Sequence, residues 1–255
     1  MGEPLRGERI LITREETKAA EMAEKVSKLG GSPVVVPMIE INDVEKPENK
    51  IILERLSSFE WVFITSANGV QAFFQLLQQH HKKLPQGLQF GIVGKKTEEV
   101  LEAYGYTASF VPSSFDALTM AEEFTSFHTT DKPVLLIRGN LSRQILPEKL
   151  REAQIPYETL EVYETIYCTE SKQELNNVLS TIDYITFTSP STIDAFVTLA
   201  EYIPDKAMYI CIGKTTSERA KELGIPNLYT SDPYTTDAML HLITELANER
   251  KMNHE

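Results

Sequence analysis

Short apolar runs alternate with amphipathic segments along most of the chain. Residues 9–13 form an apolar run with β-branched side chains, which predicts a buried strand. After it, apolar residues recur three and four positions apart and predict a helix. Gly30 and Gly31 end this helix, because glycine accepts the left-handed conformation of a helix end. Residues 34–37 predict the next strand, so the segment is a β-α-β unit, which implies a parallel sheet.

This succession of elements occurs twice. A strand that ends in Thr-Ser and leads into a helix is found at residues 61–73 and again at residues 184–196. Three further modules have two copies each, namely a strand ending in arginine (Arg14, Arg138), a strand followed by Gly-Lys (residues 94–97, 213–216), and a loop whose Asp-Ala opens a helix (Asp116-Ala117, Asp237-Ala238). A repeat of this length is a whole domain. We therefore predict two similar α/β lobes with parallel sheets, and a cleft between lobes commonly binds a small ligand.

Composition narrows the classes of protein. The chain has 255 residues, of which 42% are hydrophobic, and can bury two modest cores. Its net charge of −12 argues against a nucleic-acid partner. Neither a signal peptide nor an apolar run of membrane-spanning length is evident, so we expect a cytoplasmic protein with no membrane partner. No long apolar surface helix suggests an obligate partner, so we expect a monomer.

The cysteines and histidines predict neither a disulfide nor a metal site. Cys168 and Cys211 lie in strand-like runs and are interpreted as buried thiols. The five histidines make no metal-binding spacing with Cys, Asp or Glu, and most of them are interpreted as solvated surface residues. They are His80, His81, His128, His241 and His254.

Small hydroxyl residues, glycines and bases follow the predicted strands. Open α/β sheets bind ligands at the carboxyl ends of their strands, and helix N-termini attract carboxylate or phosphate, so these residues are candidates for binding a polyanion. The Thr-Ser pairs, Thr65 with Ser66 and Thr188 with Ser189, are also ordinary helix N-caps, and each arginine could simply pair with a surface acid. Their occurrence in both halves favours binding. The candidates are Thr13, Arg14, Thr65, Ser66, Gly94, Lys95, Lys96, Thr97, Arg138, Gly139, Thr188, Ser189, Gly213, Lys214, Thr215 and Thr216.

Common catalytic and nucleotide-binding motifs are not matched. The Gly-Lys-Thr triplet at residues 213–215 resembles the end of a P-loop, but Met208 stands where the first glycine belongs. No serine lies in a G-x-S-x-G motif, and neither cysteine has a reactive setting. Tyr163 stands out for proton transfer, because it lies where the repeated unit leaves its lobe, opposite Ile39 in the other copy. A phenol can donate a proton to a leaving hydroxyl; the competing interpretation is an ordinary residue of an amphipathic strand.

The chain resembles the uroporphyrinogen-III synthase family over almost its whole length. The resemblance rests on four motifs: Thr-Ser at 65–66 and 188–189, Gly-Lys-x-Thr at 94–97 and 213–216, Leu-Ile-Arg-Gly at 136–139, and Val-Tyr-Glu-Thr at 162–165. Each motif is short, but their order and duplication are specific together. The chain departs from the family at Lys95, Lys96 and Lys214, where many members have uncharged residues, and at Gln154, where a glycine matching Gly30 is expected.

The resemblance implies a more detailed fold. In this family two α/β lobes are joined by a two-stranded β-ladder, and the first β-α-β unit belongs with the last third of the chain. One lobe would then be discontinuous, with residues 1–37 and 170–255, and the other would contain residues 44–160. Residues 38–43 and 161–169 would form the connecting ladder.

The resemblance also implies the reaction, a step of tetrapyrrole and heme biosynthesis. A hydro-lyase of this family takes hydroxymethylbilane, a linear tetrapyrrole with eight carboxylates, removes water, inverts ring D through a spiro intermediate and closes uroporphyrinogen III. It needs no metal or organic cofactor. Tyr163 would assist the loss of the hydroxyl, and Thr215 or Thr216 is similarly implicated. The carboxylate arms would be bound by Arg14, Thr65, Ser66, Lys95, Thr97, Arg138, Gly139, Arg143, Thr188, Ser189, Lys214, Thr215 and Thr216.

A protein of another class remains as the alternative. Two-lobed proteins that bind or sense a small anion by hinge closure also have duplicated α/β lobes, and they need no role for Tyr163. Such proteins usually carry a secretion signal or a DNA-binding module, and the polar N-terminus and the lack of a basic helix-turn-helix segment argue against both. A nucleotide-sugar transferase would also have two such lobes, but no metal-binding acidic motif supports it.

Overall fold

A computed structural model describes residues 3–114, 116–127 and 131–252 of the chain. They divide into two compact α/β units. The first unit contains the described residues up to Ile41 and those from Ile166 onward, and the second contains those within Asn42–Thr165. The first unit is therefore discontinuous in sequence.

The strands are short, as the apolar runs of the sequence predict. They are β1 (Arg9–Ile12), β2 (Ser32–Val35), β3 (Ile39–Asp43), β4 (Trp61–Ile64), β5 (Gln89–Ile92), β6 (Val134–Gly139), β7 (Tyr157–Tyr167), β8 (Tyr184–Phe187), β9 (Met208–Cys211) and β10 (Leu228–Thr230). The longest of these, β7, continues beyond the apolar run that ends at Tyr163.

Helices separate most of the strands. They are α1 (Glu16–Lys28), α2 (Pro47–Glu54), α3 (Ala67–Gln79), α4 (Lys95–Ala103), α5 (Ala117–Phe127), α6 (Ile145–Glu152), α7 (Lys172–Val178), α8 (Pro190–Leu199), α9 (Lys214–Glu222) and α10 (Thr236–Met252). Short 3₁₀ turns lie at Leu56–Ser58, Thr169–Ser171 and Leu179–Thr181. The first helix ends as predicted, since Gly30 adopts a φ of 84° in the left-handed region.

The sheet of the first unit has the order β10-β9-β8-β1-β2, and all its neighbours are parallel. Side chains of a strand alternate between the two faces of a sheet. Ile10 and Ile12 accordingly pack with the helix residues Met22 and Ile243 on one face. Leu11 packs with residues of α8 and α9 on the other face. Helices thus cover both faces, as expected for a parallel sheet.

The sheet of the second unit has the order β3-β7-β6-β4-β5. Strands β7, β6, β4 and β5 are parallel, and β3 lies at the edge beside β7. Val62 and Ile64 pack towards α3, whereas Trp61 and Phe63 pack towards α5. Trp61 is 2% exposed, and its ring centroid lies 5.2 Å from that of Phe124 in an edge-to-face contact.

Both Asp-Ala pairs lie at helix starts, as predicted, but they occupy different positions there. Asp116 caps α5, because its Oδ1 accepts a hydrogen bond of 2.8 Å from the Thr119 N–H. Asp237 does not cap α10. The hydroxyl of Thr235 accepts from the Ala238 N–H at 3.1 Å instead, which places Asp237 inside the first helical turn.

Both cysteines are free and buried, as predicted. Burial raises the pKa of the Cys168 thiol and raises that of Cys211 to about 12. Within the described ranges, no helix combines the length and the apolar character that crossing a membrane requires.

Candidate functional site

Ser66 follows the carboxyl end of β4 and meets Tyr163 of β7 in the second unit, beside Gly139 at the end of β6. The Oγ atom of Ser66 and the Oη atom of Tyr163 are 3.2 Å apart and share a hydrogen bond. Ser66 also caps α3, since its Oγ accepts from the Gly69 N–H at 3.0 Å. The capping interpretation therefore applies to Ser66, and its role in binding stays a prediction. Its hydroxyl is held by the helix end and contacts the phenol of Tyr163.

The ring of Tyr163 lies directly over Gly139. A Cβ atom on Gly139 would lie 2.9 Å from Cδ2 of that ring and closer still to Cε2 and Cζ. Gly139 pairs with Tyr163 in the β6–β7 ladder, next to a register shift between Arg138 and Gly139. Only glycine leaves room for the ring at this position, which explains why a glycine follows Arg138.

Arg138 folds back onto the loop that follows its own strand. Its Nη2 donates to the carbonyl oxygens of Ser142 at 2.8 Å and Arg143 at 3.2 Å, and its Nη1 donates to Oε1 of Gln144 at 3.4 Å. Burial lowers the pKa of the guanidinium. Much of the hydrogen-bonding capacity of Arg138 is thus used to hold this loop. The side chain of Arg143, in the same loop, is exposed.

Asn140 also holds this loop, although no sequence motif pointed to it. Its backbone N–H donates to the Tyr163 carbonyl at 3.3 Å. Its side chain accepts from the Thr165 N–H at 2.8 Å and donates to the Thr165 carbonyl at 3.1 Å. Asn140 therefore fixes the backbone on both sides of residue 164. A Gly-Asn pair after a strand is a recognisable turn signal, but it does not reveal a partner 25 positions away.

The other candidates of the second unit lie at the carboxyl ends of β4 and β5. Thr65, Lys95 and Lys96 are exposed at the ends of β4 and β5, whereas Thr97 is buried. Gly94 starts α4 with a φ of 91°, in the left-handed region that favours glycine. Lys95 and Lys96 thus follow the carboxyl end of a strand, as predicted.

In the first unit, Arg14 lies at the end of β1 and reaches the start of α10. Its Nη1 donates to the Thr236 hydroxyl at 3.3 Å. Burial lowers the pKa of the Arg14 guanidinium, because charge loses its hydration there. The Nε atom is also buried and has no hydrogen-bond partner among the described residues. Thr13 is fully buried, and its hydroxyl donates to the Thr186 carbonyl at 2.6 Å. This hydrogen bond links two segments of the first unit.

Ser189 repeats the role of Ser66 as a helix cap. Its Oγ accepts from the Thr192 N–H at 3.3 Å, and the Thr192 hydroxyl faces the Ser189 backbone in a capping box. The hydroxyls of Ser189 and Ser191 are 2.8 Å apart. Thr188, the residue before this cap, is half-buried.

The Gly-Lys motif of the first unit differs from that of the second. Gly213 has an extended backbone, and its lack of a side chain makes room for a ring: a Cβ there would lie 3.1 Å from Cγ of Tyr234. Lys214 and Thr215 are exposed at the start of α9, whereas Thr216 is 3% exposed. Of the two threonines implicated by the family, Thr215 is therefore the one at the surface.

In chemical terms, the second unit presents a phenol paired with a hydroxyl, and the first presents a partly dehydrated guanidinium. The phenol can donate a proton or a hydrogen bond, and the guanidinium suits a carboxylate. The described part of the chain contains no cluster of His, Cys, Asp and Glu that could hold a metal ion. His128 and His254 lie outside the described residues.

Comparisons with known proteins agree on one family. The family model described as uroporphyrinogen-III synthase HemD matches residues 20–241. A uroporphyrinogen-III synthase of Chlorobaculum parvum is 31% identical over 224 residues, which cover 85% of this chain and 89% of that protein. The porphyrin biosynthesis protein HemD of Ruminiclostridium josui is 29% identical over 96% of this chain, which spans only 50% of that relative.

Solved structures share the fold. Uroporphyrinogen III synthase of Thermus thermophilus, in a mutant form, matches with a TM-score of 0.75 at 15% identity, covering 96% of this chain and all of that one. The Helicobacter pylori enzyme matches with a TM-score of 0.62 at 21% identity, covering 94% of this chain and 99% of that one. The two-lobed α/β fold, the family match and the strand-end motifs agree, and the chain belongs to the uroporphyrinogen-III synthase family.

Proposed function

We propose that the protein converts hydroxymethylbilane into uroporphyrinogen III and water. Membership of the family supports this reaction, and the geometry around Tyr163 is the observation that carries it. The phenol belongs to β7 beside the end of β6, is hydrogen-bonded to Ser66 and lies over Gly139. A positioned phenol of this kind can donate a proton to a departing hydroxyl group.

In the proposed reaction, Tyr163 is the catalytic residue. Its Oη–H donates to the terminal hydroxyl of the substrate, the carbon–oxygen bond breaks and water leaves. Ring D then inverts through a spiro intermediate, the macrocycle closes, and the proton released from the pyrrole carbon on closure restores the phenol. Ser66 keeps the phenol oriented, and it can return a hydrogen bond to the phenolic oxygen as the proton departs.

The carboxylate arms are proposed to bind at strand ends and helix starts of both units. Free N–H groups at the starts of helices attract carboxylates, and bases at the same edges add positive charge. The exposed or half-buried side chains at these edges are the first candidates: Arg14, Thr65, Lys95, Arg143, Thr188, Lys214 and Thr215. Arg138 and Ser189 already make local hydrogen bonds, and Thr97 and Thr216 are buried, so we propose that these four and Gly139 act through backbone placement. Ser66 is proposed to act through the hydrogen bond of its hydroxyl to Tyr163.

We also propose that the two units arose by duplication with exchange of a segment. In one sheet the arginine-ended strand β1 lies between β2 and β8, and in the other β6 lies between β7 and β4. The same order of modules in both sheets supports this origin. The proposed lobes are residues 1–37 with 170–255, and residues 44–160, joined by a ladder of residues 38–43 and 161–169. Monomeric state and cytoplasmic location stay predictions.

The deciding experiment supplies hydroxymethylbilane to the purified full chain and separates the products. Excess uroporphyrinogen III over the isomer I that forms spontaneously is the expected result. Isomer I alone, at the rate of a protein-free control, would contradict the proposal and would instead favour a binding protein without catalysis. A heat-inactivated sample controls for contaminants.

A further inference from the structure

Tyr234 lies near the carboxyl ends of the strands of the first sheet, although no sequence motif points to it. It belongs to the loop between β10 and α10, and 55% of its surface is exposed. Its ring rests on Gly213 at the end of β9. Ser231 ties the same loop to that strand end, because its N–H donates to the Cys211 carbonyl at 3.0 Å and its hydroxyl donates to the Ile212 carbonyl at 3.1 Å. The ring of Tyr234 is therefore exposed, yet these contacts support its loop.

The side chain of Arg14 reaches the end of the same loop. Thr236, which accepts the hydrogen bond from its Nη1, is only two residues after Tyr234. A guanidinium has five N–H donors; here one of them contacts a hydroxyl, and the buried Nε has no partner among the described residues. A partly dehydrated cation with so few partners is costly unless an anion binds it.

Nearby carboxylates do not supply that anion. Glu15 and Glu21 are the acids whose charge acts on Arg14. Glu15 lies 3.1 Å from Nζ of Lys18, and Glu21 lies 2.8 Å from Nζ of Lys25. No Asp or Glu in the part of the chain that the structure describes makes an ion pair with Arg14 itself. The start of α10 adds partial positive charge at this point, and the Asp237 carboxylate in its first turn is paired with Nζ of Lys25 at 2.8 Å.

We propose that Arg14 and Tyr234 form a subsite for one pyrrole ring of the substrate and its carboxylate arm. The guanidinium binds the carboxylate through its unused N–H groups, as arginine forks commonly do. The exposed face of the Tyr234 ring stacks on the pyrrole, whose flat π-system matches it. This inference rests on the proposed function and adds Tyr234, a residue that the family motifs do not include.

The test uses porphobilinogen, a single pyrrole that carries one acetate and one propionate arm, as the probe. In ¹H–¹⁵N spectra of the full chain, the Arg14 Nε–H signal, assigned by its loss in Arg14→Lys, should shift on titration with the probe. Tyr234→Leu should weaken probe binding about 3- to 10-fold, the range expected for a stacked ring. Tyr234→Phe keeps the ring and should retain most of the affinity.

Turnover of hydroxymethylbilane provides the second measurement. Tyr234→Leu should raise KM about 3- to 10-fold and affect kcat less, whereas Tyr202→Leu, at another exposed tyrosine of the same unit, should match the parent. If the parent forms uroporphyrinogen III but the probe leaves the Arg14 signal unmoved and Tyr234→Leu has the parental KM, the subsite is refuted while the proposed function stands. If the parent forms only isomer I, the function itself fails.

Discussion

The ring of Tyr163 occupies the space that a side chain on Gly139 would need. The two residues are partners in the β6–β7 ladder, where the register shifts by one residue. The glycine therefore determines where the phenol lies, and the Ser66 hydroxyl 3.2 Å from its Oη determines the direction of its hydrogen bond. The ends of β4 and β6 thus define the position of a functional group on β7.

Removal of the phenolic hydroxyl tests the role of Tyr163. Tyr163→Phe should lower kcat for hydroxymethylbilane cyclisation by about 100-fold or more, because the proton donor is lost. The ring is retained, so the melting temperature should stay close to that of the parent. Tyr157→Phe, which removes a hydroxyl from the same strand, is the matched control. Near-normal turnover of Tyr163→Phe would exclude the role.

Addition of a single methyl group tests the contact between Gly139 and Tyr163. Gly139→Ala should reduce the free energy of unfolding by about 1–3 kcal/mol, because the new Cβ overlaps the ring. It should also lower kcat, because the phenol must move. In a Tyr163→Ala background the same substitution should cost much less stability. Equal costs in the two backgrounds, measured by chemical unfolding, would show that the ring is not the cause.

Asn140 is expected to position Tyr163 without contacting the substrate. Asn140→Ala removes the two side-chain hydrogen bonds to Thr165 and should lower kcat about 10- to 100-fold, since small misplacements of a catalytic group are costly. Asn140→Asp keeps the acceptor for the Thr165 N–H and should be intermediate. In a Tyr163→Phe background, Asn140→Ala should have little further effect on kcat. Full additivity of the two losses would argue against action through Tyr163.

The order of strands and helices can be predicted from the sequence, but neither every strand end nor the side chains that meet there can. The sequence predicts the second strand at residues 34–37, whereas it lies at Ser32–Val35. Apolar runs and helical spacing identify β1, β4, β6 and α1 because one buried face dictates the pattern. The Ser66–Tyr163 contact joins residues 97 positions apart, and no local pattern encodes it. The same holds for Tyr234, whose support is Gly213 at the end of another strand.

Residue type also could not distinguish a hydroxyl at the surface from one inside the sheet. Thr215 and Thr216 are neighbours in one motif, yet the first is exposed and the second buried, because the helical turn points them in different directions. Arg14 and Arg138 likewise match in sequence. Their loops differ, so Arg138 binds its own loop whereas Arg14 reaches α10.

Gln154 occupies a backbone conformation that suits glycine. Its φ is 59°, in the left-handed region, just after α6. Gln154→Gly should raise the free energy of unfolding by about 0.5–1 kcal/mol, because relief of this strain exceeds the extra entropy of glycine in the unfolded chain. Gln154→Ala keeps the strain and should bring no comparable gain. A Gln154→Gly protein no more stable than Gln154→Ala in chemical unfolding would contradict this expectation.

Glu8 should make stability depend on pH. Burial, and secondly repulsion by Asp183, raise its pKa above the usual 4.5. The folded state therefore holds the proton more tightly than the unfolded state, and stability is lost as pH rises through the interval between the two pKa values. Glu8→Gln should be more stable than the parent at pH 7, and the difference should shrink towards pH 4. Exposed Glu201→Gln is the control, and a difference that grows at pH 4 would contradict the assignment.

The position of the one tryptophan gives the two units separate optical and chemical reporters. Trp61 is buried in the second unit, whereas both cysteines, Cys168 and Cys211, are buried in the first. Indole fluorescence therefore follows the melting of one unit, and the reaction of thiols with a coloured reagent follows the opening of the other. The two measurements together, on the unlabelled protein, can show whether the two units unfold together or one after the other.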